Sequence, residues 1–241
     1  MLVIPIKTRT FLPPQDDIFP TLEKIGARLR EGDVLVVTSK IVAIGEGRCV
    51  RATTTEAKRK LIERESDFRS FNQIKDSMFS IKGNTIIASA GIDDSNGNGY
   101  SILWPRNPMW SAKKIWDFLR KEKGLKNLGV IISDSYCTPL RAGVTGISIG
   151  FYGFHPVANH IGEKDIFGRK FTFSKSNVAD GITASAVTVM GETNEQIPIA
   201  IVRGIPNLVF TTRDTRKELL IDPKKDIYYP MLKPFYAEKR R

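Results

Sequence analysis

The chain has 241 residues, of which 41% are hydrophobic and 26% are charged. This balance excludes a largely disordered protein and leaves room for one large domain or two small ones, each with a buried core. No apolar run reaches the roughly 18 residues of a transmembrane helix. The first residues, MLVIPIKTRTFLPP, do not have the pattern of a signal peptide, so a cytoplasmic location is expected.

The net charge is +11, from 37 Lys and Arg against 26 Asp and Glu, and it favours anionic partners such as nucleotides, polycarboxylates or nucleic acid. Most basic residues are scattered over segments with the pattern of amphipathic helices, where a solvated face is the simplest explanation. The one basic cluster, EKRR at 238–241, is short. A nucleic-acid-binding protein is therefore an alternative that only the charge supports.

Apolar and β-branched runs predict strands at 2–6, 33–39, 84–90, 128–134, 198–202 and 207–210. Apolar residues at helical spacing predict helices at 17–30, 108–124 and 176–191. Pro108 at one start and Gly191 at one end are typical helix punctuation.

Strands and helices are mixed along the chain without a regular alternation. The glycine-rich stretch 139–175 has no helical period and predicts hairpins and loops. An α+β fold is therefore expected, with mixed sheets and flanking helices. Residues 221–241, with prolines spaced among aromatic residues, predict an extended arm that could contact another protomer.

Several familiar motifs are absent or incomplete. There is no Walker A loop, and GNGYSI at 97–102 does not complete GxGxxG, so the standard nucleotide folds are excluded. GISIG at 146–150 matches GxSxG, but the helix that a nucleophile elbow requires does not follow. His155 and His160 are more simply explained as satisfied or exposed side chains than as metal ligands.

The two cysteines are Cys49 and Cys137, and they have no CxxC spacing. A disulfide framework or a zinc ribbon is therefore not expected, and both thiols are predicted to be reduced. Cys137 is a poor candidate for a nucleophile, because no histidine is near it in the sequence, and a packing role is expected.

Acidic residues follow two of the predicted strands. Asp93 and Asp94 come after the strand at 84–90, and Asp134 with the hydroxyl of Ser135 ends the strand at 128–134. Carboxylates beside hydroxyl groups are the hard oxygen ligands that Mg²⁺ and Mn²⁺ prefer, usually together with substrate phosphates. Glu192, at a predicted helix end, is a third candidate ligand. Alternatively, each acid only stabilises its own turn.

Six blocks of the sequence, in order and spacing, resemble the coenzyme F-420-0:γ-glutamyl ligase family: VVTSKIVAIGEGR (36–48), AGIDDSN (90–96), IISDSYCTPLRAGVTGISIG (131–150), IGEKDIFGRKF (161–171), VADGITASAVTVMGE (178–192) and IPIAIVRG (197–204). The resemblance covers about residues 1–210 and leaves 211–241 as a C-terminal extension. It implies an α+β fold, an intertwined homodimer, and a GTP- and metal-dependent addition of L-glutamate to a deazaflavin precursor. A similar branch of the family has been assigned to folate.

The resemblance also implies roles for individual residues. The family's metal ligands fall on Asp93, Asp134 and Ser135. At the position of Ser135, threonine is more common in the family. Its nucleotide contacts fall on Leu12, Pro13, Ser39, Lys40, Asn96, Met190, Gly191 and Glu192. Ile44 and Thr138 replace a lysine and an arginine that many members have, so the acceptor and the preferred nucleotide could differ.

The implied chemistry passes the γ-phosphoryl group to the acceptor's carboxylate, and the glutamate amine then attacks the acyl phosphate. Asp93 and Asp134 are the expected catalytic carboxylates, with Lys40 and Arg141 offsetting developing charge. A relative that binds a nucleotide or a pterin without ligating is the other alternative. A pterin could stack on GFYGFHP (150–156) or on Trp104, each of which could equally belong to the core or to a dimer contact.

Overall fold

The computed structural model describes residues 1–74 and 77–237. The strands of this part are β1 (Leu2–Ile6), β2 (Asp33–Thr38), β3 (Cys49–Val50), β4 (Phe68–Ile74), β5 (Ser77–Lys82), β6 (Thr85–Ala88), β7 (Ser101–Ile102), β8 (Leu128–Tyr136), β9 (Thr145–Tyr152), β10 (Val157–Asn159), β11 (Lys175–Asn177) and β12 (Ile199–Arg203). The helices are α1 (Phe19–Gly26), α2 (Ser39–Gly45), α3 (Thr55–Glu65), α4 (Pro108–Lys123), α5 (Val178–Met190), α6 (Arg216–Leu219) and α7 (Tyr229–Ala237).

The main sheet has five strands in the order β1-β12-β2-β8-β9. β2 and β8 run parallel, and the other neighbours in this sheet are antiparallel. Side chains of β2 alternate between two cores. Leu35 and Val37 pack with α1, α2 and α4, whereas Val34 and Val36 pack with α5. A strand covered on both faces is uniformly apolar, and this accounts for the DVLVVT sequence.

A second, three-stranded sheet has the order β4-β5-β6. Its core is separate from the two cores of the main sheet and includes Leu61 and Ile62 of α3, Met78 of β5, and Leu103. A sharp turn at Ser89–Gly91 follows β6, and the backbone there takes positive φ at three successive residues. This turn leads the chain directly to Asp93.

The α+β architecture with mixed sheets is confirmed. The predicted strands near 2–6, 33–39, 128–134 and 198–202 form four strands of the main sheet. Asn107 and Asn177 cap α4 and α5 with their side chains, and Gly124 ends α4 in the left-handed region. The stretch 139–175 supplies β9 to the main sheet and most of the β10-β11 hairpin.

Four boundaries or elements differ from the prediction. The strand at 84–90 ends at Ala88, because Ser89 and Ala90 have positive φ, which a strand cannot accommodate. The helix predicted at 17–30 is shorter in the structure, where α1 covers only Phe19–Gly26. The segment 207–210 is not a strand, since it contributes only a bridge between Phe210 and Phe154.

The extended arm predicted at 221–241 is also wrong over its described part. The chain there forms a 3₁₀ turn at Pro223–Lys225 and then α7. Phe235 packs on Phe79 and Tyr236 packs on Phe68, so burial of these rings against the second sheet favours a helix. The basic cluster at 238–241 lies outside the described residues. Within the described ranges, no helix combines the length and apolarity needed to cross a bilayer.

Candidate active site

A cavity of about 480 Å³ opens where β2 and β8 end. Because these two strands are parallel, their carboxyl ends reach the same edge of the sheet, which is where open α/β sheets place ligands. Thr38 pairs with Ser133 in the ladder, so Ser39 lies beside Asp134. The other walls come from segments at 8–11, 87–96 and 187–198.

Asp134 is a largely desolvated carboxylate that lines this cavity. The indole Nε1 of Trp104 donates to Oδ2 of Asp134, and the Ser39 hydroxyl donates to Oδ1 over 3.3 Å. Burial raises the pKa of Asp134 to about 6, and the nearby charge of Asp93 acts in the same direction, against the stabilising hydrogen bonds. Binding of a cation would relieve this penalty on the charged form.

Asp93 lines the same cavity in a different electrostatic setting. Lys40 Nζ is 2.8 Å from Oδ2 of Asp93, and the backbone N–H of Ser95 donates to Oδ1 over 2.7 Å. Burial acts to raise the pKa of Asp93, but the ammonium and the Ser95 hydrogen bonds outweigh it and hold this pKa below the ordinary value. Lys40 Nζ also donates to the carbonyl and the hydroxyl of Ser95. The Lys40 side chain is therefore bound to the loop at two residues.

The second acid of the pair, Asp94, points away from the cavity. It forms an ion pair with Lys58 of α3 and accepts a hydrogen bond of 2.6 Å from the Ser101 hydroxyl. Asp94 therefore anchors the loop, while Asp93 faces the cavity.

The remaining wall follows the end of α5. The Ser135 hydroxyl lies 2.8 Å from both carboxylate oxygens of Glu192, and Asn96 donates to the carbonyl of Thr193 over 2.7 Å. These contacts connect three segments that are distant in the sequence around one opening.

Most of the site residues expected from the sequence meet in this cavity: Ser39, Lys40, Asp93, Asn96, Asp134, Ser135, Met190, Gly191 and Glu192. Three of the expected residues do not line it, namely Leu12, Pro13 and Arg141. Phe11 contributes to the wall where Leu12 was expected. Ile44 lines the cavity as a buried apolar side chain, whereas Thr138 does not line it.

Sequence reasoning missed the role of Trp104. Its side chain is 3% exposed, so it is not a surface on which a pterin could stack. The hydrogen bond to Asp134 arises only in the fold, and no local pattern in the sequence indicates it. The wall at Thr8, Thr10 and Gln196 was missed for the same reason.

The residues present fit a divalent cation that also binds phosphate oxygens. Two carboxylates, Asp93 and Asp134, and the Ser39 hydroxyl face the same cavity. Within residues 1–74 and 77–237, no three His, Cys, Asp or Glu side chains are grouped to hold an ion by themselves. Mg²⁺ commonly takes one or two carboxylates and completes its shell with water and substrate phosphates, so this donor set is sufficient.

Comparison with known proteins agrees with this geometry. A family model described as F420-0:Gamma-glutamyl ligase matches residues 14–204. A coenzyme F420:L-glutamate ligase of Methanosarcina mazei is 34% identical over 210 residues, which cover 79% of this chain and 81% of the relative. A protein of the same name from Methanopyrus kandleri is 30% identical over 243 residues, covering 93% of this chain and 96% of the relative. The chain therefore belongs to the F420-0:gamma-glutamyl ligase family.

Proposed function

We propose that this protein is a γ-glutamyl ligase that joins L-glutamate to the carboxylate of coenzyme F420-0, with GTP as phosphoryl donor and Mg²⁺ or Mn²⁺ as cation. One observation carries the proposal: Asp93, Asp134 and Lys40, from separate segments, share a single cavity. The names of the relatives supply the acceptor, since they are called coenzyme F420:L-glutamate ligases.

The reaction requires activation, because a carboxylate is a poor electrophile toward an amine. In the proposed first step, a carboxylate oxygen of the acceptor bonds to the γ-phosphorus of GTP as the bond to GDP breaks. In the second step, the glutamate nitrogen bonds to the acyl carbon, phosphate leaves, and the amine releases a proton. The protein's contribution is to position the reactants and neutralise charge.

Each residue has a defined part in this proposal. Asp93 and Asp134 would hold the divalent cation, which when bound neutralises charge on the phosphates. Lys40 lies at the same opening and would offset the charge that develops on the transferred group. The surrounding nucleotide contacts would come from Ser39, Asn96, Met190, Gly191 and Glu192. Arg141 is given no part in this proposal, because it does not line the cavity.

The test is a reaction of the purified protein with GTP, L-glutamate, Mn²⁺ and coenzyme F420-0, followed by mass spectrometry of the acceptor. We expect a glutamyl mass gain with release of GDP and phosphate. Parallel reactions replace F420-0 by tetrahydrofolate, GTP by ATP, and Mn²⁺ by Mg²⁺, and so identify the acceptor, the nucleotide and the metal. Nucleotide binding without glutamyl product from either acceptor would contradict ligation and support a non-catalytic relative.

We also propose that the protein is a homodimer. The segment at 161–173 carries three of the most exposed apolar side chains of the described residues: Ile166 (92% exposed), Phe167 (89%) and Phe173 (84%). Apolar side chains clustered in this way at a surface commonly mark a protein interface. A second copy is the partner that the family resemblance implies.

A further inference from the structure

We propose that Trp104 is a positioning residue for Asp134. Its indole N–H holds one carboxylate oxygen, Oδ2, so that the other, Oδ1, is presented beside Ser39 to the cation and the nucleotide. This inference rests on the proposed function only in taking Asp134 as a cation ligand.

The indole N–H is the one polar group of the Trp104 side chain, and it donates its hydrogen bond to Asp134. An indole N–H only donates, and a buried one needs an acceptor. Trp104 does not line the cavity, whereas Asp134 and Ser39 do. The hydrogen bond to Oδ2 therefore comes from behind the carboxylate, while Oδ1 lies on the side of Ser39.

The backbone of Trp104 is held on the side of the short β3 strand. Arg48 Nε donates to the carbonyl of Trp104 over 3.1 Å, and the N–H of Leu103 donates to the carbonyl of Arg48 over 3.0 Å. Glu46 accepts a hydrogen bond from the backbone of Arg106 just beyond. The main chain is thus fixed on both sides of the indole.

A partly buried ion cluster lies against the same side chain. Lys82 Nζ lies 5.5 Å from the centre of the Trp104 ring, within the range of a cation–π contact. Glu65 bridges Lys82 and Arg48 through short ion pairs. The cluster therefore contacts Trp104 at both its ring and its backbone.

Gly91 leaves the space that the indole occupies. A Cβ at position 91 would lie 2.0 Å from Nε1 of Trp104, and φ at Gly91 is +70°. The sharp turn after β6 and the indole can approach this closely only because residue 91 has no side chain. Any side chain there would displace the N–H from Asp134.

Trp104 therefore hydrogen-bonds to a carboxylate that would bind the proposed cation. Such partners orient the ligand, and their loss typically costs 10- to 100-fold in metal affinity or activity. The direct test is W104F, which removes the N–H donor and keeps an aromatic ring. The matched control is W110F, because Trp110 is an exposed tryptophan on α4.

The first readout is Mn²⁺ binding to the protein without nucleotide. Electron paramagnetic resonance of the free ion measures this binding. We expect the Kd for Mn²⁺ to rise about 10-fold or more in W104F and to stay unchanged in W110F. In the glutamyl assay, kcat should fall by a similar factor, with a smaller change in KM for the acceptor. Replacing Trp104 by β-(3-benzothienyl)alanine removes only the N–H and should reproduce the effect.

A second pair of variants tests the same contact from the other side. G91A would push the indole away, whereas G99A imposes a similar positive-φ penalty at a position with nothing within 4 Å of the added Cβ. We expect weakened Mn²⁺ binding in G91A and near wild-type binding in G99A.

Equal Mn²⁺ binding by folded W104F, the benzothienyl variant and the wild type would overturn the inference. If the wild type forms no glutamyl product but W104F still binds Mn²⁺ more weakly, the inference stands and the proposed function fails. A wild-type protein that makes product but binds Mn²⁺ as W104F does leaves the function standing and the inference refuted.

Discussion

Asp93 and Asp94 are adjacent in the chain but have separate tasks. Asp93 pairs with Lys40 and faces the cavity, whereas Asp94 ties its loop to Lys58 and Ser101. A simple turn needs only one such acid. The structure therefore explains why the sequence carries two.

The carboxylate charge of Asp134 is the first feature to test in the proposed reaction. D134N keeps the shape of the side chain and removes a ligand charge, so we expect kcat to fall at least ~10²-fold, by analogy with the loss of one preorganised electrostatic group. Steady-state glutamyl transfer is the measurement. D94N is the matched control and should remain within a few-fold of the wild type. A folded D134N protein with near-normal turnover would refute the assignment.

Asp134 should also make the metal-free protein sensitive to pH. Its pKa in the folded state is raised to about 6, above the unfolded value, so its contribution to stability is present below the unfolded pKa and is lost as pH rises through about 6. The lost contribution amounts to about 3 kcal/mol. Relative to the wild type, D134N should therefore gain stability between pH 4 and pH 7.5.

Urea unfolding in the presence of a chelator measures this difference across the pH range. Added Mn²⁺ should reduce it, because the cation stabilises the charged form of Asp134 in the wild type. A difference that stays constant with pH would show that the carboxylate is not desolvated.

At the scale of single elements, α3 and the second sheet are joined by Glu65. Its side chain is 10% exposed and pairs with Arg48 and Lys82. Burial acts to raise the pKa of Glu65, but Lys82 and Arg48 outweigh it and lower this pKa. The stabilisation is therefore present above the ordinary pKa of a glutamate and is lost as pH falls.

E65Q should leave two partly buried cations, Arg48 and Lys82, without the Glu65 carboxylate and cost about 3 kcal/mol of unfolding free energy at neutral pH. The control is E56Q, which removes only an exposed helix pair with Lys60 and should change stability by less than ~0.5 kcal/mol. Chemical denaturation measures both. The E65Q deficit should shrink in acid, and a deficit equal to that of E56Q would contradict the role of the cluster.

The elements were predictable to different degrees, for physical reasons. Strands such as β2 and β8 are buried on both faces, and their continuous apolar runs are visible in the sequence. α2 was missed because VVTSKIVAIG is one apolar stretch in which a strand turns into a helix at Ser39. The end of β6 was missed because it depends on backbone angles at Ser89 and Ala90 that no side-chain pattern indicates.

For the whole molecule, the expected homodimer depends on the exposed apolar segment at 161–173. The double variant F167D/F173D should shift the protein toward monomer in light scattering at micromolar concentration, because charges would be buried at the interface. I227D is the control, since Ile227 is comparably exposed near the C-terminus. A wild-type protein that is already monomeric would contradict the proposal.

The full set of expected site residues depended on the resemblance of the sequence blocks. The acids at 93 and 134 could be identified as candidates from their positions after apolar runs. Their convergence required the parallel pairing of β2 and β8 and the turn at Ser89–Gly91. The surroundings of Asp134, including Trp104, come from segments with no shared pattern.

The two carboxylates of the cavity, Asp93 and Asp134, are attached to different cores. Ile92, beside Asp93, packs with α3 and the second sheet, whereas Ile132, two residues before Asp134, packs in the main core. Among the side chains that the structure describes, which leave out those at 69–77, the core beside Asp93 has fewer buried members to resist opening than the main core. On warming, the enzyme should therefore lose activity reversibly at temperatures where its far-ultraviolet circular dichroism is still unchanged. The reason is that the segment carrying Asp93 should separate from Asp134 before the main sheet unfolds.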